Sequence, residues 1–173
     1  MENTKKKQQT VFVMCGCPGS GKSTWIFNRM QPMDDVLISR DNIRFMLLKD
    51  DDDYFACEDR VRDMFYQAIK YNTINNDIFE NVYIDATHLS RKVRSQTRSW
   101  IRKNPYQIAV SFEVPLNVAL ERNAQRTGRA KVPETAIYNM YHRYDIPSLK
   151  EGFDEIWHID AEGNITKEVK VYE

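Results

Sequence analysis

The sequence is short of glycine and has no net charge. It holds only six glycines, and its 25 Lys+Arg balance 25 Asp+Glu. A generic nucleic-acid coat is basic, so zero net charge restricts any nucleic-acid contact to a local patch. No apolar run reaches membrane-spanning length. There are three cysteines, Cys15, Cys17 and Cys57. The first two are separated by one residue, which excludes a CxxC clip. The opening "MENTKKKQQT" is basic but is followed by no apolar signal region, so it does not read as a secretory signal. Residues 1–9 are expected to be a flexible leader ahead of a single domain over 10–173, with reduced thiols in the cytoplasm. No repeat or low-complexity tract is present beyond the "DDDD" of Asp50 to Asp53.

What is present is alternation. "TVFVMC" (Thr10 to Cys15) has the β-rich, wholly apolar character of a buried central strand. Further strands are predicted at "DVLISR", "NVYIDAT", "QIAVSFEV" and "FDEIWHID", with the last residues as a possible edge strand. Helical spacing falls between them, in "STWIFNRM", "DNIRFMLL", "SRKVRSQTRSWIRK", "LNVALERNAQR" and "ETAIYNMYHRY". In "EDRVRDMFYQAIKYNTI", Val61, Met64, Phe65 and Ala68 share one face, with Tyr71 or Asn72 beyond them. Strand and helix in alternation predict an α/β fold: a mostly parallel five-stranded sheet with helices on both faces.

Three of the six glycines crowd into "GCPGSGKST", immediately after the first strand. Gly16, Cys17, Pro18, Gly19, Ser20, Gly21, Lys22, Ser23 and Thr24 fit the phosphate-binding pattern G-x-x-x-x-G-K-[ST]. Glycines let successive N–H groups converge on an anion, and the helix that follows adds its positive end. Lys22 is placed to reach the β- and γ-phosphates of ATP, and Ser23 to hold Mg²⁺. Cys15 and Cys17 read as small residues.

"SRDNIR" ends the second strand on the same sheet edge. Asp41 is expected as a helix N-cap with Arg44 one turn on. Beside a phosphate loop, the pair suits phosphoryl transfer. The carboxylate takes a proton from an attacking hydroxyl and the guanidinium holds an acceptor phosphate; the plainer reading is a cap and a surface ion pair. Asp85, at the end of "VYIDAT", has the position of a Walker-B-type Mg²⁺ ligand or of a strand-end turn aspartate. His88 reads as a polar loop residue.

Two arginine sets remain. Arg122 and Arg126 lie four apart on a helix, with Arg129, Lys131 and the hinge glycine Gly128 after them, which suits a lid that clamps phosphates. Arg91, Arg94, Arg98 and Arg102 form a stripe opposite Leu89, Val93 and Trp100. That stripe suits either a polynucleotide backbone or solvent.

"GCPGSGKSTW", "SRDNIR", "DAT" after a strand, and "ERNAQR" followed by "VP" resemble, in this order, the kinase module of phage-type 5′-hydroxyl polynucleotide kinases. The similarity runs from about Val11 to Pro147. The resemblance implies a P-loop kinase fold with an arginine-bearing lid and transfer of the ATP γ-phosphate to the 5′-hydroxyl of DNA or RNA. It makes Lys22 and Ser23 the triphosphate and Mg²⁺ ligands and Asp41 the general base. It gives Arg44 the grip on the acceptor's 3′-phosphate, Arg122 and Arg126 the donor phosphates, and Asp85 a place at the metal. The phage enzymes continue into a phosphatase domain with a DxDGT-like signature, which this sequence lacks. The same motifs resemble zeta-toxin-like kinases of sugar nucleotides, so a small-molecule acceptor is the alternative. A non-catalytic ATP-binding protein is the other.

Overall fold

The computed structural model describes residues 8–49, 51–74 and 78–171. β1 (Thr10–Cys15) buries both faces, because its side chains alternate between two separate cores. Val11, Val13 and Cys15 pack with Val61, Phe65 and Ile69 on one side of the sheet. Phe12 and Met14 pack with Trp25, Ile26 and Phe112 on the other. The two-residue period of a strand thus builds a three-layer molecule around one short sequence.

The sheet has six strands in the order β2-β3-β1-β4-β5-β6. β2 is Asp35–Ser39, β3 Asn81–Asp85, β4 Tyr106–Phe112 and β5 Glu155–Ile159, all parallel to their neighbours. The sixth strand, β6 (Ile165–Lys170), pairs antiparallel with β5 and is the edge strand. The predicted sheet was therefore one strand short, because β6 is half exposed and lacks a buried strand's apolar run. β3 and β4 flank β1 and leave from it in opposite directions, so their C-terminal ends open a crevice over β1.

The helices are α1 (Lys22–Arg29), α2 (Arg40–Leu47), α3 (Glu58–Ile74), α4 (Arg91–Trp100), α5 (Leu116–Ala124) and α6 (Glu134–His142). Ser39, not Asp41, caps α2: its side chain accepts from the Asn42 N–H, and Asp41 sits in the first turn. On α3 the buried positions are Val61, Phe65, Ile69 and Thr73, whereas Met64 and Tyr71 face solvent. The predicted face was rotated by part of a turn because Thr73 is buried through its hydroxyl, which donates to the Ile69 carbonyl at 2.8 Å and accepts from the Arg102 N–H at 2.9 Å.

The expected leader falls on residues 1–7, which lie outside the described residues, and on two that do not fray. Gln8 donates to the Asn104 carbonyl. Gln9 is buried and donates to the carbonyls of Asn72 and Phe79. Cys15, Cys17 and Cys57 are free thiols. Among the described residues, no helix is long and apolar enough to cross a membrane.

The largest correction concerns α4. Its arginine stripe is not a continuous surface feature, because Arg94 and Arg98 point into the protein while Arg91 stays exposed. Arg94 is 0% exposed. It makes a two-pronged pair with Glu151 (Nε–Oε2 and Nη2–Oε1, each 2.7 Å) and donates to the carbonyls of His88 and Asp145. Arg98 donates to Gln107 and to the carbonyls of Glu151 and Gly152, and it lies over the Phe153 ring. Val93, assigned to the core face, is exposed. Guanidinium donors here satisfy carbonyls that would otherwise be buried without partners.

Candidate active site

The loop after β1 has the backbone its glycines foretell. Gly19 and Gly21 sit at φ 81° and 95°, a region that costs other residues strain. At Gly19 a Cβ would stand 2.2 Å from the Ala119 carbonyl oxygen, so α5 presses directly on the loop and no larger residue fits. Gly21 is the N-cap of α1, which starts at Lys22. Ser20 and Cys17 are buried beneath the loop, while Ser23 and Thr24 are exposed at the start of α1. The Lys22 ammonium donates to the carbonyls of Gly16 and Cys17, both at 2.9 Å. Burial lowers its pKa, and the negative charge of Asp85 works against that shift.

The ends of β2 and β3 bring the two carboxylates to this lysine. Asp85 closes β3, with Ser39 Oγ 3.5 Å away and the Ser23 hydroxyl beside it. Burial raises the Asp85 pKa, Lys22 opposes this, and the nearby Asp41 charge adds to it. Hydroxyls and a carboxylate are hard oxygen donors, the set Mg²⁺ takes. The described residues hold no cluster of three or more metal-ligating His, Cys, Asp or Glu.

Asp41 is exposed on 62% of its side-chain surface. Its Oδ1 accepts from Arg44 Nη1 at 2.6 Å and from the Tyr54 hydroxyl at 2.9 Å. No bond to Oδ2 is present among the described residues, so the second oxygen is open to an acceptor. Arg44 is buried and donates through its other prong to Glu58 at 2.7 Å. Glu58 also pairs with Arg40. Burial raises the Glu58 pKa, but the Arg44 hydrogen bond and both guanidinium charges outweigh it and hold the carboxyl below its usual range. Tyr54 and Glu58 were not visible from sequence, since the loop carrying Tyr54 has no motif.

On the opposite side of the loop, Arg122 reaches the mouth of α1. Its Nη1 would be 3.4 Å from a Cβ at Gly21, and its Nη2 donates to the Ala161 carbonyl. A cavity of about 430 Å³ opens there, lined by Thr24, Trp25, Asn28, Arg122, Asp160 and Gly163 among others. The Asp160–Gly163 turn joins β5 to β6, so its part in the site depends on the strand that the sequence left uncertain. Arg126 is among the charges felt by Lys22. Past it, the 3-10 turn Gly128–Ala130 carries Arg129, which donates to the Lys49 carbonyl after α2. The segment after α5 and the α2–α3 segment therefore touch. His88 does lie in a loop, the one between β3 and α4, but it is a buried anchor there. Its Nδ1 is 2.7 Å from the Met14 carbonyl and its Nε2 3.1 Å from Thr97 Oγ1, and burial lowers its pKa to about 4.

Several known proteins are similar to this chain. The chain is 26% identical over 151 residues to the L-seryl-tRNA(Sec) kinase of Methanococcus maripaludis, covering 83% of this chain and 56% of that one. It thus spans little more than half the length of this curated relative. Among solved structures, the Pnkp1/Rnl/Hen1 RNA repair complex contains a chain that superposes with a TM-score of 0.65 at 23% identity, over 83% of this chain and 46% of that one. A sugar kinase from Janibacter sp. HTCC2649 superposes with a TM-score of 0.57 at 16% identity, over 91% and 87%. These two likenesses are of fold. The AAA domain family (AAA_33) matches residues 11–147, a span that holds the phosphate loop, Asp41, Asp85, Arg122 and Arg126, and the chain belongs to this family of P-loop kinases.

Proposed function

We propose that the protein transfers the γ-phosphate of ATP to a hydroxyl carried by a nucleic acid, the 5′-hydroxyl end of DNA or RNA first among these. The observation that carries the reading is the Asp41 carboxylate. One of its oxygens is tied down by Arg44 and Tyr54, the other is open, and Lys22 of the phosphate loop is close enough to feel its charge. A kinase needs a base so placed, beside the phosphate to be transferred and open to the alcohol that attacks it.

In this scheme the loop amides and α1 hold the triphosphate, and the cavity beside Arg122 takes the nucleotide's base. Asp41 Oδ2 accepts the acceptor's proton as its oxygen attacks. Lys22, with Arg122 and Arg126 from the lid side, neutralises charge on the phosphoryl oxygens. Ser23 and Asp85 would hold Mg²⁺, which supplies further neutralisation of the phosphates. Arg44 orients Asp41. Among the described residues its Nε makes no hydrogen bond but is buried, so gripping a neighbouring phosphate would need the guanidinium to move.

A second reading keeps the chemistry and changes the carrier. The archaeal relative is named for a hydroxyl on a seryl-tRNA, so the reacting alcohol can also be a group esterified to RNA. The sugar-kinase likeness supplies the small-molecule alternative. The deciding experiment is transfer of labelled phosphate from ATP and Mg²⁺ to 5′-hydroxyl oligonucleotides, aminoacylated RNA and a panel of sugars and nucleosides. Labelling of the oligonucleotide is expected, with a loss of about 10³-fold in Asp41→Ala by the usual weight of a general base. Labelling of the small molecules alone, or an Asp41→Ala protein of normal turnover, sinks the proposal.

A further inference from the structure

Exposed aromatic rings gather at one place beside the candidate base. Phe55 is 65% exposed and Phe45 36% exposed. Tyr54 lies between them, with ring centroids 4.9 Å from Phe55 and 6.3 Å from Phe45, both edge-on. Phe45 is one turn after Asp41 on α2, so the two share a helix face. Tyr54 ties the cluster to the site at both ends of its ring. Its hydroxyl donates to Asp41, and the Arg44 guanidinium lies 4.4 Å above the ring. Burial and the Asp41 charge push the Tyr54 pKa up to about 12, so it stays a donor near neutrality. The turn that presents Phe55 is held by its own acids. Asp53 Oδ1 accepts from the Phe55 N–H and Asp52 Oδ2 from the Lys49 N–H, both at 2.8 Å.

Rings left in water next to a reactive group require an occupant that gains by covering them. We infer that Phe55 and Phe45, braced by Tyr54, form a stacking platform for the nucleobase of the nucleotide whose hydroxyl reacts at Asp41. The inference rests on the nucleic-acid reading above and deepens it by assigning the acceptor's base a site. A nucleotide carries its hydroxyl and its base on one sugar. An alcohol held at Asp41 therefore brings its base within reach of rings joined to that carboxylate by a single hydrogen bond. Charge restricts the occupant further. Asp51, Asp52 and Asp53 are exposed beside the platform and repel a phosphate chain, so the terminal base rests here. The rest of the strand leaves toward the exposed Lys49 and the lid's Arg129. Because every base has a π-face, the platform tolerates any terminal base.

The test compares two single-stranded hexanucleotides, labelled at the 3′ end, that differ only in having or lacking the base of the 5′-terminal nucleotide. Binding is followed by fluorescence anisotropy, and phosphate transfer by KM and kcat. Stacking of one base on aromatic rings is worth roughly tenfold in affinity. The wild type is expected to bind the intact strand about tenfold tighter than the abasic one. Phe55→Ala and Phe45→Ala should erase most of that ratio by raising KM for the intact strand. Phe55→Leu, which keeps apolar bulk without the ring, should resemble Phe55→Ala, and Phe55→Trp should keep the ratio. ATP hydrolysis without acceptor should be unchanged in all four variants. Equal binding of the two strands, no binding of either, or a ratio unmoved in Phe55→Ala overturns the platform. The two proposals fail separately. Phosphate transfer at equal KM to both strands removes the platform and leaves the kinase reading. A base-dependent binding ratio without transfer to any strand removes the kinase reading and leaves the platform.

Discussion

α4 carries arginines four residues apart, as does the stretch formed by α5 and the turn after it, where the helix ends at Ala124 and leaves Arg126 beyond it, and the two regions use them in opposite ways. On α4, Arg94 and Arg98 turn inward and bind Glu151, Gln107 and backbone carbonyls. Arg122 on α5 reaches the phosphate loop, and Arg126 just after it adds its charge at Lys22. Spacing is the same, so spacing did not decide. The difference lies in what the rest of the chain brings to each face. The segment around Leu149–Glu151 folds back over α4 and supplies a buried carboxylate and two carbonyls that need donors. Across from α5 lies the glycine loop, and among the described residues Arg122 and Arg126 pair with no carboxylate and donate to one carbonyl each, Ala161 and Ala130, which leaves their other N–H groups for anionic oxygens.

This contrast can be broken by measurement, and the largest effect should fall on α4. Arg94→Ala leaves Glu151 buried and unpaired, which should cost about 3–5 kcal/mol in denaturant unfolding. The kcat of the folded fraction should stay normal. A stable Arg94→Ala protein would show that the pair is not the anchor described. His88 belongs to the same anchor, since its carbonyl accepts from Arg94 and its ring meets Thr97. Its pKa is depressed in the fold to about 4, so between about 6.5 and 4 the unfolded chain binds more protons than the native one. Stability should therefore fall by up to about 3 kcal/mol as pH drops through that window. His88→Gln should flatten the slope in pH-dependent unfolding; an unchanged slope would place its cause elsewhere. On α5 the pattern should invert. Arg126→Ala is expected to lower phosphate transfer about 10²-fold with little change in melting temperature. Arg91 offers the smallest effect. It is exposed on the α4 stripe and makes one long bond to the Lys150 carbonyl at 3.4 Å, so Arg91→Ala should stay within about 0.5 kcal/mol of the wild type. A large loss there would mean that the stripe has a surface role after all.

Much of the donor side was legible because its signals are local. The glycines at 16, 19 and 21, Lys22 and Ser23 act within one turn, and strand-loop-helix placement follows from the apolar run before them. Asp41 and Asp85 were legible because a parallel sheet sends all its strand ends to one edge. The acceptor side was less so. Tyr54 and Glu58 bond to Asp41 and Arg44 over 13 and 14 positions, and nothing in the intervening acidic stretch marks them. The cap of α2 moved from Asp41 to Ser39 by two residues, the ordinary uncertainty of a helix start. β6 was faint because an edge strand needs only one apolar face, and the Asp160–Gly163 turn it holds beside Arg122 was missed with it.

The order of residues alone determined that β1 would be central, that a phosphate loop would follow it, and that two carboxylates would stand near that loop. These follow from periods of two and 3.6 residues and from glycine's backbone freedom, which are properties of the local chain. Tertiary structure decided which arginines stand near the phosphate loop and which are buried as supports, which oxygen of Asp41 stays open, and which rings stand beside it. Those outcomes depend on partners far along the chain. A charged side chain buries itself only where a distant segment offers the opposite charge or an unmet carbonyl, and no local pattern records that meeting.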